Sequence, residues 1–270
     1  MRILTTLADL RLARATVTGP LGLVPARGAL HAGKLSLVTR ARAECEAVVV
    51  SLIGKEAPQR DDLERDLNLL EPLGVDLVWA PTQAAAYPTG FQTWVTVEQV
   101  GLPLEGKRRV GHFQGFSTLI AKLFNALAPD RAYFGQIDAQ RAAIVRRMVL
   151  DLDYAPKIVV CPTVREPDGL AVSSRNAALG PPERTAATVL HQALAAAQAA
   201  HAGGARDGDT LRAILSSTLA AEPLAREEYV SVADPDSLDE LEQVAGAALL
   251  SIAARIGKVR LIDNLNLSND

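Results

Sequence analysis

Three segments of this 270-residue chain put polar and charged side chains where a plain globular domain has little use for them. The first, Pro25-Ala26-Arg27-Gly28-Ala29-Leu30-His31-Ala32-Gly33-Lys34, leads from a short apolar run into a helical pattern. In an open α/β sheet this is where ligands sit, and the spare N–H groups of a helix N-terminus attract phosphate. It is not a P-loop, because the Gly-Lys-Ser/Thr ending is absent. A structural βα turn with a solvated histidine and lysine accounts for the same residues. The second, Leu104-Glu105-Gly106-Lys107-Arg108-Arg109-Val110-Gly111-His112-Phe113, sets three consecutive cations near a histidine, which suits an anion, although charge runs are usually solvated loops. The third, Thr163 to Asn176, carries Ser173, Ser174 and Arg175 on a glycine-bearing stretch. Two hydroxyls and a guanidinium can clamp phosphate oxygens, and a simple interdomain linker is the rival reading.

The elements that would position these segments read as strand and helix in alternation. Leu21-Gly22-Leu23-Val24 between two prolines is a buried strand, and a helix runs through Lys34 to about Glu44. Ala47 to Ile53 is short, β-branched and nearly unbroken, as a parallel strand covered on both faces should be. Asp61 to Leu73 shows helical spacing at Leu63, Leu67 and Leu70, and Val75 to Pro81 is a further strand. Helices over Phe116–Leu127 and Ala139–Leu150 and strands over Arg131–Phe134 and Ile158–Pro162 continue the pattern. The expected fold is α/β, a doubly wound, Rossmann-like parallel sheet over residues 1–165. Residues 166–270 form a smaller α+β lid domain, with helices over Pro182–Ala202 and Asp209–Ala221 and strands over Glu228–Ala233, Ala247–Ile256 and Val259–Asp263.

Composition sets the outer limits. The chain is 49% hydrophobic and 22% charged, the balance of an ordinary globular protein, and its net charge of -3 argues against a general nucleic-acid binder. Cys45 and Cys161 stand far apart, which fits neither a disulfide framework nor a zinc site. No basic segment precedes an apolar stretch and no long apolar run occurs, so the expectation is a cytoplasmic protein without membrane or nucleic-acid partners.

Taken in order, these segments resemble the pantothenate synthetase family, within the nucleotidyl transferases that have a HIGH-type first motif and a KMSKS-type second. The likeness is carried by Val164 to Asn176, by Gly111-His112-Phe113, Gly115 and Lys122-Leu123-Phe124, by Phe134-Gly135, and by Arg260-Leu261-Ile262-Asp263-Asn264. The resemblance implies an ATP- and Mg²⁺-dependent ligase that adenylates pantoate and passes the acyl group to β-alanine, and it suggests a homodimer. It matches His31 to the first histidine of the phosphate-binding motif, Asp138 to the ribose-binding aspartate, Val164 to the backbone contacts of adenine, and Ser173, Ser174 and Arg175 to the second phosphate clamp; Arg27, Gly28, Lys34, Gly135 and Val172 complete the expected nucleotide site, with His31, Lys34 and Arg175 as the catalytic candidates. Arg27, Gln59, His112 and Arg141 would face the acid, and Asp66 matches a metal-associated position.

The departures cluster at that site. Ala26, Arg27 and Lys34 stand where the family reads Thr, Met and a second histidine, and Ile137 and Arg141 replace a lysine and a glutamine. The loop that supplies another pantoate glutamine is rewritten as Ile53 to Gln59. Retained adenylation, with Lys34 and Arg27 restoring the charge lost at Ile137, is the main expectation. A more anionic acid substrate, or an impaired nucleotide-binding relative, is the alternative. Glu56, Asp61 and Asp62 are the candidates to balance the new arginines.

Overall fold

The computed structural model describes residues 1–26, 28–53 and 60–268, and within it the chain divides into two compact units. The first comprises residues 1–101 and 109–162 and the second residues 102–108 and 163–270.

In chain order the first unit contains β1 (Arg2–Leu4), α1 (Leu7–Ala15), β2 (Leu21–Ala26), α2 (Ala32–Glu44), β3 (Ala47–Leu52), α3 (Arg60–Leu70), β4 (Leu77–Trp79) and α4 (Gln83–Ala86). The single turn α5 (Glu105–Arg108) belongs to the second unit, after which the first resumes with α6 (His112–Leu127), β5 (Arg131–Gly135), α7 (Ala139–Asp151) and β6 (Lys157–Cys161). The strands form one parallel sheet in the order β1-β4-β3-β2-β5-β6. Every residue of β3 is buried, as its unbroken apolar run requires of a strand covered on both faces. Helix α2 packs over β2, β3 and β5, and its Leu37, Val38 and Ala41 meet Val24, Val50 and Tyr133 in one core. Gly22 makes that approach close. A Cβ there would lie 3.1 Å from Cys45 Sγ and 3.2 Å from the Tyr133 ring. Both cysteines are buried and free.

The segment ahead of α6 is tied down by side chains. Tyr87 donates its hydroxyl to Gly115 O at 2.8 Å, Thr118 Oγ accepts from Val95 N at 2.9 Å, and Lys122 donates to Ala86 O beneath the rings of Tyr87 and Phe91. Burial pushes the Lys122 ammonium down. Here the ordered Lys122-Leu123-Phe124 stretch does packing work.

The second unit continues with α8 (Pro181–Ala186), α9 (Val189–Ala202), α10 (Gly208–Ala220), β7 (Ala225–Ala233), β8 (Ala248–Ile256) and β9 (Val259–Leu267). Its strands form an antiparallel sheet in the order β7-β8-β9, and Leu190, Leu194, Leu211 and Leu215 of the helices close its core against Leu250, Ile252 and Ile256. The short piece 102–108 joins this unit for an electrostatic reason. Arg260 of β9 makes a forked bond to Glu105, at 2.6 and 2.9 Å, and a third bond to Glu228 at 2.6 Å, while Tyr229 donates to Glu105 at 3.1 Å.

The basic stretch 104–113 is divided between the units, residues 104–108 falling in the second and residues 109–113, with the histidine that begins α6, in the first. The helix expected over Pro182–Ala202 is two, α8 and α9, and β9 runs on to Leu267. The fold also has a first strand and helix, β1 and α1; β1 offers only two apolar residues, too few to mark a strand. Among the described residues no helix is long and apolar enough to cross a membrane.

Gly208, the first residue of α10, has no room for a side chain: a Cβ would stand 1.9 Å from the backbone oxygen of Leu241. Gly208→Ala is therefore expected to shift backbone at a cost of about 1–3 kcal/mol. Thermal unfolding followed by circular dichroism should show a transition lowered by roughly 3–10 °C.

Candidate active site

The loop after β2 is built around a carboxylate. Asp66 of α3 is 1% exposed, and its Oδ2 accepts from Ala29 N at 2.8 Å while Oδ1 accepts from Leu30 N at 3.0 Å. Arg65 donates to the same Oδ1 at 2.9 Å. Hydrogen bonds to an ionised acceptor contribute about 1.5–3 kcal/mol each, so the loop is firmly held. Ala29 takes the left-handed conformation, with φ of 65°. Among the described residues no three His, Cys, Asp or Glu side chains form a metal-sized group, and both Asp66 oxygens serve backbone donors.

His31 follows as the N-cap of α2, but its side chain makes no cap hydrogen bond and no acidic residue stands in the helix's first turn. The helix thus supplies no anion of its own to its positive end. His31 Nδ1 is buried and without a hydrogen-bond partner among the described residues. Burial pushes the imidazole below its ordinary value of 6.5, the Lys34 charge lowers it further, and Asp138 pulls it partly back.

Lys34, one turn into α2, reaches across to β5's end. Its Nζ lies 2.8 Å from Asp138 Oδ2, and Arg141 Nη1 lies 3.1 Å from Asp138 Oδ1. Arg141 also approaches His112 Nε2 at 3.4 Å and lies over the Phe116 ring at 5.4 Å. Asp138 ends the short 3-10 turn Gln136–Asp138 that follows Gly135. His31, Lys34, Gly135, Asp138, Arg141 and His112 are therefore gathered by β2, β5 and the starts of α2, α6 and α7. Gly28 lies in the same loop, with Asp66 Oδ2 3.5 Å from where its Cβ would be. Next to Arg141, Gln140 is occupied elsewhere, donating to Val100 O at 3.0 Å. Arg27, Glu56 and Gln59 lie outside the described residues. Of the acidic candidates to balance the arginines, Asp62 pairs with Arg65 at 3.6 Å, and Arg141 is balanced by Asp138.

The second unit holds the remaining candidates on one loop. Val172 N donates to Val164 O at 2.9 Å, Arg165 pairs with Ala171, and Gly169 N donates to Glu166 O, so residues 164–172 close into a tight hairpin. Its base is fixed by Arg165, which forks to the buried Asp263 at 2.6 and 2.9 Å. Ser173 caps the following turn by accepting from Arg175 N at 3.2 Å. Ser174 and Arg175 are exposed, and Arg175 Nη1 donates to Arg260 O at 3.2 Å. Sequence reading missed Asp66 as the anchor of the first loop and Asp263 as that of this one. For Asp66 the signal was available, since it lies on the apolar stripe of Leu63, Leu67 and Leu70, where a solvent-facing carboxylate does not belong.

The sequence pattern described as pantoate-beta-alanine ligase matches residues 2–266. A pantothenate synthetase of Roseiflexus sp. (strain RS-1) is 54% identical over 98% of both chains, and one of Chloroflexus aggregans is 51% identical over 98% and 99%. The crystal structure of pantothenate synthetase from Thermus thermophilus superposes with a TM-score of 0.90 at 41% identity, covering 98% of this chain and 99% of that one. A pantoate-beta-alanine ligase from Francisella tularensis, complexed with beta-gamma ATP and beta-alanine, gives a TM-score of 0.75 at 30% identity over 98% and 97%.

Since the Lys34 charge is one cause of the low His31 value, Lys34→Gln should raise the imidazole's titration midpoint, with Asp138 left to favour the protonated form. A histidine NMR titration of both proteins reads this directly, and an unmoved midpoint would remove Lys34 from the ring's surroundings. The linked stability has a definite sign. Folding holds this imidazole below its unfolded value, so its contribution weakens the fold as pH falls through about 6.5.

Proposed function

The chain belongs to the pantoate-beta-alanine ligase family, and from that premise we propose that it adenylates pantoate with ATP and joins the acyl group to β-alanine, giving pantothenate, AMP and pyrophosphate. One observation carries the reading on the structural side. The first turn of α2 has no side-chain cap and no acidic residue of its own, and it carries Lys34 in a chain that matches the family pattern over residues 2–266.

The chemistry explains why such groups are wanted. A carboxylate is a poor acyl donor because its oxygen leaves badly, whereas an acyl adenylate releases AMP. The protein's task is to hold the carboxylate in line with the α-phosphorus, to balance charge on the phosphates and to keep water from the mixed anhydride. In this reading the α2 N-terminus, His31 and Lys34 receive phosphate oxygens, with Gly28 and Gly135 allowing close backbone approach. Asp138 takes a ribose hydroxyl, the backbone at Val164 borders adenine, and Val172 leads into the nucleotide loop. Ser173, Ser174 and Arg175 form the second phosphate clamp. Arg141 and His112 meet the acid's carboxylate, joined by Arg27 and Gln59. His31, with its lowered proton affinity, acts at neutral pH as a neutral hydrogen-bonding ring.

Lys34 supplies positive charge beside the phosphates, and neutralising them needs charge rather than proton transfer. Mg²⁺ belongs to the family chemistry, but the described residues form no cage for it. It would come with the polyphosphate, which is how this ion is commonly held. A homodimer is part of the same proposal. Relatives near half identity that carry the pantothenate synthetase name favour pantoate over a more anionic acid.

Pyrophosphate release from ATP and Mg²⁺, measured against a panel of hydroxy acids and dicarboxylates with and without β-alanine, tests the proposal. Pantoate should be turned over with kcat/KM of about 10⁴ M⁻¹s⁻¹ or more. Preference for a dicarboxylate would overturn the pantoate assignment. Arg175→Ala should lower kcat/KM for ATP by roughly 30- to 100-fold, the scale of one lost charged donor in a phosphate site; unchanged kinetics would exclude Arg175 from the site.

A further inference from the structure

We infer that Asp66 is a positioning residue for the nucleotide's phosphates, acting through the two backbone N–H groups it holds rather than through a metal ion. The inference rests on the proposed function in one respect, that the N-terminus of α2 receives phosphate.

Its carboxylate is 1% exposed and divides its oxygens between consecutive backbone donors, Ala29 N on Oδ2 at 2.8 Å and Leu30 N on Oδ1 at 3.0 Å. These are the two residues immediately ahead of His31, the N-cap from which α2 starts. Fixing both peptide planes fixes the direction in which the loop delivers the His31 ring and the first N–H groups of the helix. The conformation imposed is one that the residue resists. Ala29 has φ of 65°, and an L-residue with a Cβ pays a steric penalty in the left-handed region. A two-point clamp on the adjoining amides is a means of holding it there.

The clamp also has a rigid base. Leu63, Leu67 and Leu70 of α3 pack into the same core as α2, so Asp66 extends from a helix whose neighbours on that face are anchored. Arg65 Nη2, 2.9 Å from Oδ1, keeps a cation beside the buried charge. The chemistry demands a carboxylate. An asparagine has one acceptor oxygen, and its NH₂ would confront the second backbone donor. A buried N–H would then be left without a partner.

The test uses the full chain and two ligands that differ in phosphate, ATP and adenosine, with affinity measured by calorimetry. Asp66→Asn should weaken ATP binding at least about tenfold, the effect of one lost hydrogen bond to a charged acceptor. Adenosine affinity should stay within about twofold, since adenosine carries no phosphate to misalign. Adding Ala29→Gly to Asp66→Asn should recover about fivefold or more of the ATP affinity, because glycine enters the left-handed region without strain. Equal weakening of both ligands, or an unaltered ATP affinity, would overturn the inference, as would a second substitution that recovers nothing. Amide hydrogen exchange supplies a measurement free of any ligand. In the wild-type protein the Ala29 and Leu30 amides should exchange slowly. Free-loop rates there would overturn the clamp even if the Asp66→Asn protein does not fold. Should the wild-type chain bind no ATP, the functional reading falls, while the exchange rates still decide the clamp.

Discussion

The candidate site exists because β2 and β5, distant in sequence, lie side by side and point the same way. Gly22 and Leu23 of β2 pair with Arg131 and Ala132 of β5, while the other edge of β2 pairs with β3 along its whole length. The chain after β2 therefore moves to one side of the sheet and the chain after β5 to the other. The two strands' carboxyl ends are left to open beside each other, the place where open α/β sheets bind ligands. The bond from Lys34 to Asp138 at 2.8 Å spans that opening and depends on the adjacency. So does the grouping of Arg141 and His112 around it.

What surrounds the opening is arranged by charge. Asp138 is shared by Lys34 and Arg141, and Asp66 is shared by two amides and Arg65. Each buried or half-buried carboxylate thus balances a local excess of positive partial charge, consistent with the cost of leaving such groups without partners. In the second unit the same logic appears twice, with Arg165 on Asp263 and Arg260 on Glu105 and Glu228. There the ion pairs hold a loop and a short turn to a sheet.

Much of this was legible in the residues, and the limits have physical causes. Apolar runs and helical spacing located β2, β3, α2 and α7, because strands buried on both faces and helices with one buried side leave strong periodic signals. The strand order was outside their reach, since periodicity says what is buried and not beside what. Family motifs drew attention to Lys34, Asp138 and Arg141, yet the ion pairs joining them depend on the pairing of β2 with β5. The break between α8 and α9 at Ala187 and Thr188 left no mark, because neither residue is a helix breaker. Asp66 was marked by its place in an apolar stripe, but a carboxylate in that position says only that it has partners, and backbone partners leave no trace in a side-chain pattern.

Gly22 links the packing in the middle of the sheet to the placement of His31 and Lys34 at the candidate site. Its missing side chain lets the C-terminal end of α2 settle close to β2, with Cys45 Sγ and the Tyr133 ring already at contact distance from where a Cβ would be. A helix of 13 residues behaves as a stiff rod roughly 20 Å long. Pressing on one end turns the other, and the other end carries His31 and Lys34. The thickness of a single methyl group at position 22 therefore bears, through a rigid helix, on where those two side chains stand at its far end.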